Sequence, residues 1–365
     1  MEPTTEPAPA NEPLATPLLA AHRALGGRIV PFAGWSMPLD YGSILEESRA
    51  VRETAGLFDV SHMGRFFLHG PEVGAALDRA LGGRIEDLPV EMARYTLILD
   101  EGGGILDDLL VYRLGEDDWM LVVNAANRER DAAVLRERLA PLALDDRTRD
   151  GGGILALQGP ESPRLVAAVA PGAEDLPFLG LGRFDAPWGP LLVARTGYTG
   201  ERGYELFPTA AQLVPLWERL LELGARPVGL GARDVLRLEA AMPLYGHEIH
   251  EGVDPREAGL GFAIRGWKER DFVGGDALRA AGPPRRELVG LTAEKRVPRQ
   301  GYPVLAGDRV VGEVCSGAWS AALDRPIATA LVERGVDGPL AVDLRGKPLP
   351  VERVPLPFVP HRSRD

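Results

Sequence analysis

Alternating and helical patterns of apolar residues divide the first three quarters of the chain into strands and helices. Two alternating runs, ILDDLLVYRL and DWMLVVNA, are separated by the turn-forming residues Gly115, Glu116 and Asp117, and this arrangement predicts an antiparallel hairpin. Helical spacing follows in NRERDAAVLRERLA, and later in AQLVPLWERLLEL and GARDVLRLEAAM. Strand-like and helix-like segments therefore mix along the chain, which is typical of an α+β fold.

The pattern changes after Gly274. Short strand-like runs then follow one another at regular spacing, with turn residues between them: ELVGLTA, YPVLAG, RVVGEVCSGAW, ATALV and LAVDLRG. Regularly spaced short strands predict a small β barrel or sandwich. We therefore expect a domain boundary within residues 275–285 and a separate C-terminal β domain over residues 285–365.

Length and charge narrow the class of protein. A chain of 365 residues exceeds what one hydrophobic core usually organises, so two or three domains are expected. Forty-one Lys and Arg stand against 53 Asp and Glu, which gives a net charge of −12. An acidic chain without a basic cluster repels phosphate groups, so nucleic acid and anionic membranes are excluded as main partners. The sequence has no apolar run of the roughly 18 residues that a bilayer span requires, and we expect a soluble protein.

The N-terminal residues and the cysteine content bear on location. Residues 1–17 contain three glutamates, five prolines and no Lys or Arg, the opposite of a targeting peptide. We predict a disordered leader over residues 1–16. Cys315 is the single cysteine, so the chain can form neither an internal disulfide nor a multi-thiolate metal site. A reducing compartment, the cytoplasm, is the expectation.

Histidines raise the question of a metal. His62 lies alone in DVSHMG, while His247 and His250 form a second group in YGHEIH. The H-x-x-H spacing is not the i, i+4 spacing of helical zinc sites, and scattered histidines are usually structural. We therefore expect no metal site.

Asp107 and Asp108 lie inside the first strand of the predicted hairpin. Because successive side chains of a strand alternate faces, one carboxylate should point outward and the other inward. A carboxylate that faces a core or cleft needs a partner, since charged groups are rarely buried unpaired. Two solvated carboxylates at a strand end are the structural alternative. The functional alternative is an ionised group that holds or polarises a nitrogen-bearing ligand.

A glycine-rich segment, RTGYTGERGYEL at residues 195–206, carries Tyr198, Glu201 and Glu205. Glycines let the backbone approach a flat ligand closely, and a Tyr and a Glu could then contact its polar edge. An ordinary β hairpin with a glycine-rich turn explains the same spacing. The pattern alone does not decide between the two.

The segment GARDVLRLEAAM begins with two candidate arginines. Arg233 is near a predicted helix N-terminus, where it is well placed for an anion or a carbonyl group. Arg237 and Asp234 have i, i+3 spacing, and we expect an ordinary surface ion pair there. Arg233 is the stronger candidate.

Several long blocks, in order, resemble the glycine cleavage T-protein family. They are FAGWSMPLDYGS, GLFDVSHMG, GGILDDLLVYR, VVNAANRERD, LALQGPES, RTGYTGERGYEL and GLGARDVLRLEAAMPLYGHEI. The resemblance covers about residues 17–363. It implies an α+β, three-domain folate-binding aminomethyltransferase fold, with two mixed α/β domains and a C-terminal β barrel around a central channel. The first domain would be split over residues 17–56 and 151–275, with the second domain inserted over residues 57–150.

The resemblance also implies a reaction. An aminomethyl group on the lipoyl arm of H-protein gives its one-carbon unit to tetrahydrofolate, and ammonia is released. The products are 5,10-methylenetetrahydrofolate and dihydrolipoyl H-protein. Tetrahydrofolate is the implied co-substrate, no metal takes part, and the implied partners are lipoylated H-protein and the other glycine cleavage components.

Site residues are implied by the matching blocks. Asp108, the second Asp of ILDD, is the implied catalytic residue, which would orient the folate and stabilise positive charge or accept a proton. Glu205 is suited to accept two N–H bonds from the amino edge of the pterin, and Arg233 to hold a pterin carbonyl or the glutamyl tail. The implied folate pocket consists of Met63, Tyr95, Asp108, Val122, Asn124, Tyr198, Glu205 and Arg233.

Other readings of the same fold stay open at this point. A folate-dependent demethylase would share the co-substrate, whereas the related sarcosine and dimethylglycine oxidoreductases are longer chains with a flavin domain. A folate-binding iron–sulfur assembly factor would lack transferase activity, and its Lys-Gly-Cys-Tyr-x-Gly-Gln motif has no match here. This sequence departs from the family pattern at Met242 and in the C-terminal PFVPHRSRD, so the contacts of the folate tail are left open.

Overall fold

The computed structural model describes residues 12–365, so residues 1–11 of the predicted leader lie outside the described residues. For residues 12–16 the prediction of disorder is wrong. Strand β1 (Leu14–Ala15) pairs in parallel with β3 (Trp35–Asp40). Thr16 is buried, and its hydroxyl donates a 2.7 Å hydrogen bond to Asp59. The proline-rich composition indicated disorder, and a strand of only two residues has no alternating pattern that could have indicated otherwise.

Two sheets are formed by segments on either side of residues 60–154. The smaller sheet places β3 between β1 and β2 (Arg28–Phe32). The larger contains β4 (Gly56–Asp59), β10 (Leu155–Gln158), β11 (Leu181–Phe184), β12 (Leu191–Ala194), β13 (Gly203–Phe207) and β14 (Arg226–Pro227). Its spatial order is β11-β12-β13-β10-β4-β14. Strands β4 and β10 are therefore neighbours although about a hundred residues separate them in the sequence.

A separate five-stranded sheet is inserted between these two neighbours. Its strands are β5 (Gly64–His69), β6 (Met92–Leu99), β7 (Ile105–Arg113), β8 (Asp118–Val123) and β9 (Asp145–Asp146), in the order β6-β7-β8-β5-β9. Strands β7 and β8 are antiparallel, which confirms the predicted hairpin. The inserted segment begins and ends at one place, because the Val60 amide donates to the Ile154 carbonyl at 3.0 Å.

The described residues form eight α-helices: α1 (Leu19–Ala24), α2 (Ile44–Glu53), α3 (Val73–Ala80), α4 (Arg128–Leu139), α5 (Ser162–Val169), α6 (Ala210–Glu222), α7 (Leu230–Glu239) and α8 (Gly275–Ala280). The helices predicted from periodicity correspond to α4, α6 and α7. A capping box of Thr209 and Gln212 starts α6. Gly229 starts α7, where a Cβ would lie only 2.4 Å from the Leu39 carbonyl oxygen. This close backbone contact fixes α7 against β3.

The C-terminal strands form a closed six-stranded barrel, as predicted. They are β15 (Arg286–Thr292), β16 (Pro303–Ala306), β17 (Arg309–Ser320), β18 (Arg325–Glu333), β19 (Leu340–Asp343) and β20 (Pro348–Val354), in the order β15-β18-β17-β16-β19-β20. Aliphatic side chains such as Val289, Leu291, Val304, Val314 and Val342 form the barrel core. We propose that the chain divides into a split first domain, an inserted second domain and this barrel domain, with the boundaries predicted above.

The chain leaves the barrel and returns to the six-stranded sheet. The Val359 amide donates to the Glu239 carbonyl at 2.9 Å, and the Arg362 amide donates to the Gly200 carbonyl at 2.7 Å. This segment, residues 355–365, thereby lies beside the loop that connects β12 and β13. Across residues 12–365, the helices all lack the combination of length and apolarity that a membrane span requires.

Candidate active site

A cavity of about 980 Å³ lies where the inserted sheet, the β12–β13 loop, α7 and the returning C-terminal segment meet. All eight residues proposed from the sequence lie on its wall: Met63, Tyr95, Asp108, Val122, Asn124, Tyr198, Glu205 and Arg233. They come from segments that are up to 170 residues apart. The structure therefore brings the whole predicted set together.

Asp108 occupies the wall formed by the inserted sheet. Its neighbour Asp107 is fully buried on the other face of β7, as the strand alternation predicted. The Tyr95 hydroxyl donates to Asp108 Oδ2 at 3.0 Å, and Asn124 Nδ2 donates to Asp108 Oδ1 at 2.8 Å. Both carboxylate oxygens are thus held, and the orientation of the group is fixed before any ligand binds.

Burial raises the pKa of Asp108 to about 7, and the adjacent negative charge of Asp107 adds to this rise. The hydrogen bonds from Tyr95 and Asn124 act in the opposite direction, because they stabilise the ionised form. A carboxyl group with a pKa near neutrality can both accept and release a proton at neutral pH. Asp108 therefore has the property expected of a general base or acid.

Glu205 lies on β13, in the part of the wall that the six-stranded sheet contributes. Its Oε2 atom accepts hydrogen bonds from the Tyr112 hydroxyl at 3.1 Å and from the Thr196 hydroxyl. Within residues 12–365, Oε1 accepts no hydrogen bond from a side chain, although Glu205 lines the cavity. Oε1 is therefore the oxygen that is available to a donor on a ligand, while Oε2 is already engaged by two hydroxyls.

Arg233 lies near Glu205 in the same cavity, and its guanidinium carries the opposite charge. Its guanidinium stacks 4.7 Å above the centre of the Tyr198 ring, and the Tyr198 hydroxyl donates to the Pro243 carbonyl. Among the described residues, neither a carboxylate nor a carbonyl accepts a hydrogen bond from the guanidinium. Burial lowers the pKa of Arg233, but from a starting value so high that the group stays a cation. Its donors are free for an acceptor in the cavity.

Apolar and aromatic groups complete the wall around Asp108. Met63 and Val122 belong to a hydrophobic cluster beneath the cavity. The Tyr95 ring stacks on Phe262, with ring centres 5.9 Å apart and an angle of 29° between planes. Phe262 is 67% exposed at the rim of the cavity. Sequence reasoning missed Phe262, because it lies in a single 3₁₀ turn (Gly261–Ile264) that is too short for periodicity and contains no motif residue.

The C-terminal segment contributes a further part of the wall that the sequence left open. His361, Ser363 and Arg364 line the cavity. Arg364 stacks 5.1 Å from the centre of the Phe178 ring, and Arg195 donates to the Ser363 carbonyl at 3.2 Å. The departures from the family pattern in PFVPHRSRD prevented this prediction.

Arg237 is not the surface residue that its spacing predicted. Its side chain is 1% exposed, and it donates to Glu248 at 2.9 Å and to Ser316 at 2.7 Å in addition to Asp234. The ion pair was correct, but two further partners from distant segments bury the guanidinium. Arg237 thus links α7 to the barrel strand β17 at the wall of the cavity.

Glu201, the other carboxylate of the glycine-rich segment, has a structural role in this arrangement. It is 3% exposed and accepts a 2.8 Å hydrogen bond from Arg52, which also binds Glu239. The Arg52 guanidinium therefore joins α2, α7 and the β12–β13 loop. A local pattern could not reveal a partner that is about 150 residues away.

The histidines occupy unrelated places. His62 is buried on the cavity wall, where burial and the nearby Arg233 charge lower its pKa to about 4 and keep it neutral. His247 contacts the Cys315 carbonyl at 3.0 Å and the Ser316 hydroxyl at 3.1 Å. Over the described part of the chain, His, Cys, Asp and Glu side chains form no group of three that could hold a metal ion.

The charge of the cavity differs from that of the whole chain. Its wall carries seven arginines and four carboxylates, although the net charge of the protein is −12. Such a wall attracts a ligand with an anionic end. Combined with Asp108 and the free Oε1 of Glu205, it suits an elongated ligand that has N–H donors at one part and negative charge at another.

Comparisons with known proteins converge on one family. Residues 18–268 match the family model of the GCVT N-terminal domain, and residues 286–360 match that of the glycine cleavage T-protein C-terminal barrel domain. An aminomethyltransferase of Streptomyces avermitilis is 47% identical, over 95% of this chain and 98% of its own. One of Thermus thermophilus is 44% identical, over 94% of this chain and 99% of its own. The crystal structure of glycine cleavage system aminomethyltransferase T from Bartonella henselae matches with a TM-score of 0.88 and 33% identity, over 95% of this chain and 98% of that chain.

Proposed function

The chain belongs to the glycine cleavage T-protein family and is an aminomethyltransferase, and we propose that its cavity binds tetrahydrofolate and receives the aminomethyl group from lipoylated H-protein. The transfer moves the one-carbon unit to the folate and releases ammonia. The sulfur–carbon and carbon–nitrogen bonds of the aminomethyl group break, and two folate nitrogens gain the carbon and lose their protons to the thiol and the ammonia. The matched relatives are aminomethyltransferases, which favours this reaction over demethylation and over iron–sulfur assembly.

The residues of the cavity fit tetrahydrofolate. Glu205 offers the unused acceptor Oε1, which suits the N–H donors of a pterin amino edge. Arg233 offers a guanidinium without an acceptor from the described residues, which suits a pterin carbonyl or a glutamate carboxylate. Tetrahydrofolate, when bound, supplies the nitrogen nucleophiles that take up the carbon.

The proposal rests on Asp108, because a buried carboxyl group with a pKa near neutrality can take up and release the proton that the reaction must move. With a pKa of about 7, it can accept a proton from a ligand nitrogen and pass it on to the departing amine. The ionised form also stabilises the positive charge that develops as the carbon changes partners. Tyr95 and Asn124 keep the carboxylate in place during this step.

The chain needs no thiol or lysine nucleophile, because the carbon of an S–CH2–N group is already activated. Its contribution is to position the two reactants and to exclude water, which alone can lower a barrier by about 7–11 kcal/mol. Phe262 and the Tyr95 ring form an aromatic surface at the rim. We propose that the lipoyl arm enters past this surface to reach Asp108.

A single assay tests the proposed function. Aminomethylated H-protein is incubated with the purified chain, with and without tetrahydrofolate, and released ammonia is measured. We expect folate-dependent release of ammonia and formation of 5,10-methylenetetrahydrofolate in equal amounts. Free aminomethyl-lipoic acid in place of H-protein is the control for the partner. Ammonia release that does not depend on folate, or none with either substrate, would contradict the proposal.

We also propose that the reaction takes place in the cytoplasm. Cys315 is buried, and burial raises the pKa of its thiol to about 12, so that it is kept as an unreactive thiol. A lone reduced cysteine is compatible with a reducing compartment. Fractionation of cells with an antibody against the chain would test the location.

A further inference from the structure

Asp131 is a buried acid that the proposed reaction leaves unexplained. It lies in the first turn of α4 behind the wall of the cavity, and it is 1% exposed. Neither of its carboxyl oxygens receives a hydrogen bond from a donor among the described residues. A buried carboxylate without a donor is unstable, so the group must be satisfied in another way.

The carboxyl group of Asp107 lies next to Asp131, because Asn127 joins the two residues: its carbonyl accepts from the Asp131 amide at 2.8 Å, and its Nδ2 donates to Asp107 Oδ1 at 2.8 Å. Two carboxylates have only acceptors, and a contact between them is favourable only when a proton lies between them. The negative charge is better stabilised on Asp107, because Asn127 Nδ2 donates a hydrogen bond to it at 2.8 Å and Asn124 Nδ2 donates another at 2.9 Å. Asp131 is therefore the member of the pair that keeps the proton.

Burial and the charge of Asp107 raise the pKa of Asp131 to about 10, in agreement with this assignment. Asp108, also on β7, acts in the same direction, whereas Arg130 on α4 itself acts against it. Helix α3 packs against α4 through apolar residues such as Ala76 and Leu77.

The Asn124 amide connects this pair to the active site. Its two N–H groups donate to Asp107 Oδ1 at 2.9 Å and to Asp108 Oδ1 at 2.8 Å. The same planar amide bridges both carboxylates. A shift of Asp107 would therefore move the Asn124 amide, and the amide would then hold Asp108 in a different place. A hydrogen bond donated to Asp107 from behind also withdraws negative charge from the side that faces Asp108.

We propose that Asp131 is a positioning residue of this active site: as a carboxylic acid it donates a hydrogen bond to Asp107, and it thereby fixes the Asn124 amide that holds Asp108. The catalytic consequence of this arrangement rests on the proposed function. The presence of the proton on Asp131 does not, and it can be measured separately.

Two substitutions separate positioning from simple packing. Asp131→Asn keeps the shape and offers an amide N–H to Asp107, so we expect kcat within about threefold of the wild type and an unchanged pH profile. Asp131→Ala removes the donor, and we expect kcat to fall by roughly tenfold or more, the loss of one hydrogen bond to a charged group. The acidic limb of the kcat profile should also move to higher pH, since Asp107 then acts on Asp108 with its full charge. Equal behaviour of the two variants, or an acidic limb in Asp131→Ala at the wild-type pH or below it, would overturn the proposal.

Infrared spectroscopy detects the proton on Asp131 directly. The measurement requires neither an enzyme assay nor the alanine variant. At about pH 8.5, where Asp108 is mostly ionised, the difference between the wild type and Asp131→Asn should contain the C=O stretch of one protonated carboxylic acid. A difference spectrum without this band would refute the assignment even if the enzyme assay succeeds. If the wild type lacks aminomethyltransferase activity but shows the band, the proposed function fails and the protonated pair stands.

Discussion

Replacement of Asp108 by asparagine should make the protein more stable while it removes most of the activity. The amide has the same shape, and its oxygen can accept from Asn124 while its NH2 group donates to Tyr95, whose hydroxyl can accept as well as donate. The hydrogen-bonded framework is thereby kept. The negative charge beside Asp107 is lost.

The size of the stability gain follows from the pKa. Folding raises the pKa of Asp108 from its ordinary value near 4 to about 7, which corresponds to a cost on the order of 3–4 kcal/mol for holding the ionised group in the folded protein. Because the pKa is raised, this cost is absent below about pH 4, grows as the pH rises and is complete above about pH 7. The stability difference between Asp108→Asn and the wild type should follow the same course.

Thermal unfolding at several pH values, together with the ammonia-release assay, checks both parts. We expect a midpoint several degrees higher than the wild type at about pH 8, no difference near about pH 4, and a kcat lower by roughly 10²–10⁴-fold. Asp276→Asn, at a carboxylate that is 97% exposed, is the matched control and should change neither quantity. A variant that is less stable than the wild type at about pH 8, or that keeps its kcat, would refute the reasoning.

Four further outcomes are expected. The kcat of the wild type should decline below about pH 7, because Asp108 must be ionised to accept a proton; a profile flat to about pH 5 would exclude it as the base. Glu205→Gln should weaken tetrahydrofolate binding by roughly tenfold or more in calorimetry, since a charged acceptor is lost, whereas the exposed Glu222→Gln should bind normally. Arg233→Ala should weaken binding similarly and Arg233→Lys less, and equal affinity of all three proteins would remove the guanidinium from the site. Arg52→Met should lower the free energy of unfolding by about 3–5 kcal/mol, because it leaves the buried Glu239 without its cation and Glu201 with only the half-exposed Arg362, 3.7 Å away; an unchanged denaturation midpoint would contradict the structural role of this residue.

Local rules predicted the elements of the fold better than the contacts among them. The hairpin of β7 and β8 and the helix α4 follow from periodicities of two and 3.6 residues, which depend only on which face of an element is buried. Strand β1 has two residues and no periodicity, so the proline-rich composition was the only signal there, and it indicated disorder. Its pairing with β3 is a tertiary contact.

The same distinction applies to the site. Strand alternation separated Asp107 from Asp108, and the family resemblance selected residues that all line one cavity. Arg237 was assigned to the surface because only its i, i+3 partner is visible in the sequence, whereas Glu248 and Ser316 reach it across the fold. Asp131 carried no signal, since a protonated acid has the same letter as an ionised one.

The hydrogen bond between Val60 and Ile154 closes the two ends of the inserted segment, and this bears on how such an enzyme can diversify. The insertion leaves the host sheet continuous, because its ends are joined by a hydrogen bond and β4 pairs directly with β10. The inserted segment carries Asp108 together with Met63, Tyr95, Val122 and Asn124, while the rest of the chain supplies Tyr198, Glu205 and Arg233 to the same cavity. A chimera that exchanges only residues 60–154 would therefore replace Asp108 and part of the pocket wall while it keeps Glu205 and Arg233.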